Sequence, residues 1–133
     1  MEQQIGVKAI IEKDNKILLI KRSGEYGEIS NSWDIPGGRT NFGEEPEDGL
    51  KREIKEETGL ELNEIKQILD ASTVFKNEEK HIVRITYLCT VKKTNIQLSH
   101  EHTDIQWVTK EELKNIEFKD KILKKTMEKC FIQ

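Results

Sequence analysis

The segment from Gly38 to Leu60 constrains this chain more than any other part of it. It reads GRTNFGEEPEDGLKREIKEETGL and holds seven carboxylates, two arginines and four glycines in 23 residues. Leu50 and Ile54 lie four residues apart, which gives a helix at about Glu47–Thr58 a narrow apolar stripe toward a core. A proline just before this stretch suits the start of a helix, and Gly59 stands where a C-terminal cap is expected.

The predicted helix carries acidic residues on one face. Glu53, Glu56 and Glu57 are spaced i, i+3 and i+4, so their side chains share that face. Like charges at these spacings repel by a few tenths of a kcal/mol per pair, which a purely structural helix has no use for. Hard cations such as Mg²⁺ or Mn²⁺ prefer carboxylate oxygens. The spacing therefore predicts a metal-binding helix, and metal together with phosphate is the chemistry that it favours.

Apolar, β-prone stretches lie on both sides of this helix. The predicted strands are Ile5–Glu12, Lys16–Lys21, Ile65–Phe75, Ile82–Val91 and Ile105–Val108. Asp14 and Asn15 supply turn chemistry between the first two, which are therefore predicted to form a hairpin. Residues Trp33–Gly38 predict a further short strand that ends in a Pro-Gly-Gly turn, where Gly37 and Gly38 are expected to allow a close approach of backbone. One helix is expected to begin near Thr109, with a capping box to Glu112. A second helix is expected over about Lys119–Phe131. This order predicts a mixed α/β fold with a sheet between helical layers, and the length predicts one domain over residues 1–133.

Composition narrows the classes of function. The net charge of −3 and the pI near 5.7 argue against non-specific nucleic-acid binding. No apolar run approaches the length needed to cross a membrane, so we expect no membrane partner and a cytoplasmic location. Cys89 and Cys130 are far apart and lack metal-ligand spacing. Cys89 lies in an apolar strand and is predicted to be a buried thiol.

The glycine- and glutamate-rich segment resembles the signature of the Nudix hydrolases. The family pattern is Gly, five residues, Glu, seven residues, Arg-Glu, an aliphatic residue, any residue, Glu-Glu, any residue, Gly and an aliphatic residue. It is matched without departure by Gly38, Glu44, Arg52, Glu53, Ile54, Glu56, Glu57, Gly59 and Leu60. The stretches LLIKR, WDIPGG and WV outside the signature are also similar to the family. The resemblance implies an α/β/α sandwich with a mixed sheet and a pyrophosphohydrolase that uses Mg²⁺ or Mn²⁺.

The resemblance also implies roles for individual residues. Glu56 and Glu57 match the main metal ligands, and the carbonyl oxygen of Gly38 matches a further ligand. Glu53 matches a residue that binds metal or orients the attacking water, so Glu53 and Glu57 are expected to be catalytic. In this reading Arg52 holds a glutamate in place, while Glu44 is either a brace for the loop or a further ligand, and Gly59 caps the helix.

Outside the signature the signal is weaker. Family members often have a further glutamate in a loop near Trp107, as ligand or general base, and Glu101 is the candidate here. His100 and His102 flank it, and this pair is interpreted as ordinary loop rather than as a transition-metal site. Arg39, just past the glycines, is a candidate for contact with a substrate phosphate. Aromatic residues that can stack on a base are Trp33, Phe42, Phe75 and Tyr87.

The expected substrate is a small nucleoside diphosphate derivative. ADP-ribose enzymes of the family tend to have a proline about 16 residues beyond the last glycine of the signature, where this chain has Phe75. Dinucleoside polyphosphate enzymes tend to have a tyrosine near the same place, and none occurs before Tyr87. Markers of the coenzyme A and NADH enzymes are also missing. The remaining interpretation is hydrolysis of a nucleoside triphosphate, in some cases oxidised, to monophosphate and pyrophosphate.

Several alternatives stay open from sequence alone. The substrate can instead be ADP-ribose, a nucleotide sugar or a dinucleoside polyphosphate. A non-catalytic Nudix module that senses a nucleotide is a further alternative, although such members usually lose carboxylates that this chain keeps. Dimers are common in the family, so a homodimer is kept beside the monomer.

Overall fold

The chain forms a mixed β-sheet with flanking helices. The computed structural model describes residues 1–22, 32–93, 96 and 102–132. In chain order the elements are β1 (Glu2–Lys13), β2 (Lys16–Arg22), β3 (Trp33–Asp34), β4 (Gly37–Arg39), α1 (Pro46–Thr58), β5 (Leu62–Lys76), β6 (Lys80–Val91), β7 (His102–Thr109), α2 (Lys110–Leu113) and α3 (Lys121–Phe131). The predicted mixed α/β fold is confirmed.

The predicted N-terminal hairpin is formed by β1 and β2. Lys13 of β1 faces Lys16 of β2 in antiparallel register. Asp14 and Asn15 make the turn with φ values of 53° and 63°. Asn and Asp tolerate this left-handed region better than most residues, and a two-residue turn of this hand matches the twist of the strands.

Strand β1 lies at the centre of the sheet. The strand order is β3-β2-β1-β6-β5, with β4 also paired to β1 and β7 also paired to β2. β1 and β6 run parallel, from the pair Glu2 and Lys80 to the pair Ile11 and Cys89. The other strand pairs are antiparallel. Because β1 is paired with other strands along both of its edges, it is held in place. The residues at its ends therefore have a defined position relative to α1.

Alternating residues of β1 enter two separate cores. Val7, Ala9 and Ile11 are fully buried and pack in one cluster with Leu50 and Ile54 of α1. On the other face, the second cluster joins residues of β1, β2 and β7 to α2 and α3. Its fully or largely buried members are Ile10, Ile17, Leu19, Ile35, Val108, Leu113, Phe118, Leu123 and Met127. The period of two along the strand therefore places α1 on one side of the sheet and α3 on the other.

The segment Trp33–Arg39 differs from the sequence prediction. A strand ending in a tight Pro-Gly-Gly turn was expected, but Gly37 and Gly38 are themselves in β4, antiparallel to β1. A Cβ atom at Gly37 would lie 2.1 Å from the carbonyl oxygen of Val7. The expected turn is wrong, because Gly37 and Gly38 are part of a strand that pairs with β1. The expected close approach of backbone is confirmed, because Gly37 has no side chain to hold β4 away from β1.

The two C-terminal helices begin at side-chain caps. The predicted capping box is present, since the Thr109 hydroxyl accepts from the Glu112 N–H and the Glu112 carboxylate accepts from the Thr109 N–H. Helix α3 begins at Lys121, two residues later than predicted, because the Asp120 carboxylate caps it by accepting from the Leu123 N–H at 2.9 Å. Among the described residues, no helix is long and apolar enough to span a membrane.

Candidate active site

Helix α1 presents its glutamates to the short strand β4. Pro46 occupies the first turn, and Gly59 closes the helix in the left-handed conformation with φ of 75°, its N–H donating to the Lys55 carbonyl oxygen at 2.9 Å. Leu50 and Ile54 are completely buried and attach α1 to the sheet. With the apolar stripe facing β1, the neighbouring helix face carries its carboxylates to the edge where β4 pairs with β1.

The two glycines of β4 each face one glutamate of α1. The Gly37 N–H donates to Glu57 Oε1 at 2.6 Å. A Cβ atom built at Gly38 would lie 2.2 Å from Glu53 Oε2, so the carboxylate of Glu53 occupies the space that any larger residue would fill. Gly38 thus leaves room for the carboxylate of Glu53. Gly37 lacks a side chain because the backbone of β1 packs against it, and its N–H is presented to Glu57.

Arg52 connects the remaining carboxylates. Its Nε and Nη2 donate to the two oxygens of Glu44 at 2.8 and 3.0 Å. Its Nη1 donates to Glu53 Oε1 at 2.9 Å and to both oxygens of Glu56 at 3.2 Å. Nη2 also donates to the Arg39 carbonyl oxygen at 3.0 Å. One guanidinium therefore ties α1 to the loop before it and to the end of β4.

The loop that contains Glu44 is packed closely onto α1. Glu44 Oε1 also accepts from the Asn41 N–H at 2.8 Å. A Cβ atom at Gly49 would lie 2.9 Å from that same oxygen, so the glycine inside the helix makes room for the carboxylate. The bidentate hydrogen bonds from Arg52, with the Asn41 N–H, lower the pKa of Glu44 to about 2. Glu44 is therefore held ionised against Arg52.

In the two glutamates that face β4, Glu53 and Glu57, the pKa is raised, whereas that of Glu44 is lowered. Burial raises the pKa of Glu57 to about 7, against the lowering influence of the Gly37 N–H and of Lys8. Burial also raises the pKa of Glu53, although Arg52 acts in the other direction. Carboxylates whose charged form is disfavoured by burial gain from a nearby cation, and this pattern is common at functional sites.

The carboxylates of α1 do not surround a single point in this arrangement. Within the described residues, no three His, Cys, Asp or Glu side chains are grouped closely enough to hold a metal ion. Glu56 is on the Arg52 side and is more than half exposed, and Glu57 is on the Gly37 side. Glu53 touches Arg52 and also lies over Gly38. The donors are nevertheless the oxygen ligands that Mg²⁺ and Mn²⁺ take, and Gly38 leaves the space that Glu53 needs.

The other sequence candidates are placed less closely. The side chain of Arg39 is exposed and its guanidinium donates to the Gln4 side chain, next to Gly38. Glu101 and His100 lie outside the residues that the structure describes, so the predicted further ligand or base at Glu101 stays a prediction. Phe42 is fully exposed, whereas Tyr87 belongs to the core.

Two charged residues that the sequence analysis did not single out lie behind the site. Lys8 Nζ and Asp34 Oδ2 form an ion pair at 2.6 Å, with side chains only 18% and 10% exposed. The signal in the sequence was a lysine inside the apolar run IGVKAII of β1 and an aspartate between Trp33 and Ile35. An inward-pointing charge in such a run needs a partner, but sequence alone does not name it because 26 residues separate the two.

A cavity of about 270 Å³ lies beside Trp33. Its walls come from β3 and the connection between α2 and α3, namely Ser32, Trp33, Asn115, Ile116, Glu117 and Lys119. One aromatic ring with several polar groups around it is a usual lining for a small-molecule pocket.

Comparison with known proteins identifies the family. The family model described as NUDIX domain matches residues 2–130. A protein of Escherichia coli named nucleoside triphosphatase NudI is 30% identical over 122 residues, which are 85% of this chain and 86% of that protein. A Methanocaldococcus jannaschii protein named ADP-ribose pyrophosphatase is 33% identical over 125 residues, 92% of this chain and 72% of that protein.

Two further comparisons concern length and fold. A MutT-like protein of Streptomyces ambofaciens is 29% identical over 104 residues, and the match spans 62% of its length. The crystal structure of a MutT protein from Methanosarcina mazei superimposes with a TM-score of 0.79 at 28% identity, covering 96% of this chain and 91% of that one.

Proposed function

The chain belongs to the Nudix family of hydrolases, and from that premise we propose that it hydrolyses a phosphoanhydride bond of a nucleoside triphosphate with the help of Mg²⁺. The products on this proposal are a nucleoside monophosphate and pyrophosphate. Pyrophosphatase activity on nucleotide derivatives follows from the family and its named members. The particular substrate, the metal and the residue roles are our proposal.

The observation that carries the proposal is the arrangement of α1 against β4. Two glutamates of one helix face, Glu53 and Glu57, lie against the glycine backbone of β4, and the third, Glu56, is beside them on Arg52. No packing argument requires so much buried negative charge at this place, since apolar residues would stabilise the contact at least as well. A divalent cation and a polyphosphate would balance this charge.

Each residue has a distinct task on this account. Glu53, Glu56, Glu57 and the Gly38 carbonyl oxygen would hold the cation, which polarises a phosphate oxygen and makes water more acidic. Glu53 or Glu57, whose pKa values burial raises, is suited to accept a proton from the attacking water, and Glu101 is the alternative base. Arg52 positions Glu53 and Glu56 while Glu44 orients Arg52. Arg39 is exposed beside the glycines and is suited to contact a phosphate.

The cavity beside Trp33 is not assigned to the nucleoside. Trp33 and Ile116 in its wall pack on the cluster that contains residues of α2 and α3, whereas α1 packs on the other face of the sheet. The proposal therefore places only the polyphosphate, at α1 and β4.

Two substrate classes compete. The triphosphate is favoured because the proline marker of ADP-ribose enzymes is absent, and because the match to NudI covers most of both chains. ADP-ribose is favoured by the higher identity to the pyrophosphatase from Methanocaldococcus. Both substrates have an anhydride between two phosphorus atoms, so the same carboxylates serve either reaction.

The experiment that decides is a substrate panel in the presence of Mg²⁺. It contains nucleoside triphosphates with oxidised guanine forms, ADP-ribose, nucleotide sugars and dinucleoside polyphosphates, with products separated by ion-exchange chromatography. Pyrophosphate and a monophosphate from a triphosphate are the expected result. Preference for ADP-ribose or a nucleotide sugar would change the substrate and keep the site, whereas binding of nucleotides without any turnover would favour the sensor.

Location and assembly are smaller parts of the same proposal. A nucleotide hydrolase of this composition is placed in the cytoplasm, as one domain, and a homodimer is retained beside the monomer. Cell fractionation and light scattering of the purified chain test these two points.

A further inference from the structure

The ion pair between Lys8 and Asp34 is placed directly behind the backbone that contacts Glu57. Both carboxylate oxygens of Asp34 are used: Oδ2 by Lys8 Nζ at 2.6 Å and Oδ1 by the Ile35 N–H at 2.8 Å. Lys8 Nζ is also 3.4 Å from the Ile35 carbonyl oxygen. One buried charge pair thus holds the peptide groups on both sides of Ile35.

The next residues are held to β1 as well. The Ala9 N–H donates to the Pro36 carbonyl oxygen at 3.0 Å, and Gly37 pairs with Lys8 in the antiparallel ladder of β1 and β4. A Cβ atom at Gly37 would lie 2.7 Å from the Lys8 Cα and 2.8 Å from its Cγ. The backbone of Gly37 is therefore packed directly against that of Lys8, with no space for a side chain between them.

Stability alone does not account for such a pair. Removing two charges from water costs free energy that their attraction returns only in part, so an apolar pair of similar volume is often as stable or more so. What the charges add is a fixed geometry, because the lysine and the carboxylate oxygens have to meet at hydrogen-bond distance. The geometry that they fix here is that of the segment from Asp34 to Gly37.

This segment delivers the hydrogen bond that reaches Glu57. The Gly37 N–H donates to Glu57 Oε1 at 2.6 Å, and Glu57 approaches from α1 on the side of β4. Hydrogen bonds to a metal-ligating group set its orientation, and their loss commonly reduces metal affinity or activity by 10- to 100-fold. A displacement of the Gly37 amide would therefore displace the carboxylate of Glu57 as well.

We propose that Lys8 and Asp34 are positioning residues that hold the Gly37 amide on Glu57 and so orient this carboxylate for a divalent cation. The inference rests on the proposed function, because it takes Glu57 to be a ligand. Neither residue touches the substrate on this account. Their positioning effect is made through the backbone of residues 35 to 37, beside the direct attraction between the charges of Lys8 and Glu57.

The test compares three variants in the otherwise intact protein. Lys8→Met removes the cation and leaves Asp34 unpaired. Lys8→Met combined with Asp34→Asn removes both charges and keeps an acceptor for the Ile35 N–H. Lys8→Arg keeps the charge. Lys110→Met is the matched control, since Lys110 forms an ion pair with Glu12 at 3.3 Å away from the site.

Two readouts are used besides turnover. The first is hydrogen exchange of the Gly37 amide by NMR in metal-free protein, and the second is the dissociation constant of Mn²⁺. We expect Lys8→Met to speed Gly37 exchange and to raise the Mn²⁺ dissociation constant, each by about tenfold. The double variant should recover the melting temperature, because no buried charge is left alone, but it should recover neither readout. Lys8→Arg should restore most of both, and Lys110→Met should change neither.

The proposal has a clear contrary result. Wild-type Gly37 exchange and Mn²⁺ affinity in the double variant would show that the pair is only structural, and this variant decides even where Lys8→Met alone does not fold. Equal losses in Lys110→Met would also overturn it. A wild-type protein that binds Mn²⁺ but hydrolyses no nucleotide would instead refute the proposed function, because both readouts are independent of turnover.

Discussion

Replacing Glu57 by glutamine is expected to stabilise the metal-free protein at pH 8. Burial raises the pKa of this carboxyl from its ordinary value of 4.5 to about 7. A difference of that size corresponds to about 3 kcal/mol of unfavourable free energy when the group is ionised. Residual contact with solvent screens a part of it, so we expect a gain of about 2 kcal/mol. Glutamine keeps an oxygen that can accept from the Gly37 N–H.

The direction with pH follows from proton binding. Between pH values of about 4.5 and 7, Glu57 binds more protons in the folded state than in the unfolded state. The free energy of unfolding of the wild type therefore falls as the pH rises through this window. Below about pH 4.5 both states are protonated at Glu57, and the variant should differ little from wild type. Above about pH 7 the full gain is present.

Urea unfolding in EDTA, followed by tryptophan fluorescence from pH 2 to 8, measures this effect. Glu44→Gln is the control with the opposite sign, because Arg52 lowers the pKa of Glu44 to about 2. Its stabilising contribution is present above about pH 4.5 and is lost as the pH falls toward 2. A difference between Glu57→Gln and wild type that stays constant from pH 4 to 8 would refute the reasoning.

Further predictions concern Gly38, Arg52 and the buried thiol of Cys89. Gly38→Ala should reduce Mg²⁺-dependent turnover by about 10- to 100-fold, with little change in melting temperature, because the added Cβ meets only the flexible end of Glu53. Steady-state kinetics and calorimetry measure these two effects, and unchanged turnover would contradict the prediction. Arg52→Met should lower the urea midpoint of unfolding, since Glu44 and Glu53 lose their common cation; a midpoint equal to that of wild type would count against this. Cys89 is fully buried, and burial raises the pKa of its thiol to about 12. A thiol reagent should therefore modify Cys89 only after unfolding. Rapid labelling of Cys89 in the native protein, detected by mass spectrometry, would disprove this prediction.

The elements of this fold that are local in sequence could be predicted well. The hairpin turn at Asp14 and Asn15, the helix ended by Gly59 and the capping box at Thr109 each depend on residues within a few positions of one another. The face shared by the glutamates of α1 is likewise a consequence of helical spacing. Such features follow from backbone preferences and short-range hydrogen bonds.

The features that the sequence did not disclose depend on register between distant strands. Gly37 was expected in a turn, and only its pairing with Lys8 places it in β4. The partner of Lys8, Asp34, is 26 residues away, and nothing in the pattern of either strand names the other. The three α1 glutamates share a helix face, yet Arg52 and the Gly37 amide draw their carboxylates to different sides. Side-chain partners of this kind are set by tertiary contacts, which periodicity does not contain.

The most direct test of the central claim is the Mg²⁺-dependent turnover of a preferred nucleotide by wild type, Glu57→Gln and Glu61→Gln. Glu61 is a matched control, since it is an exposed carboxylate just beyond α1 that pairs with Lys55 at 3.2 Å. The account predicts that Glu57→Gln loses turnover by orders of magnitude while folded, and that Glu61→Gln matches wild type. Turnover in Glu57→Gln close to that of wild type, at saturating Mg²⁺, would contradict the claim that α1 and β4 form the catalytic metal site.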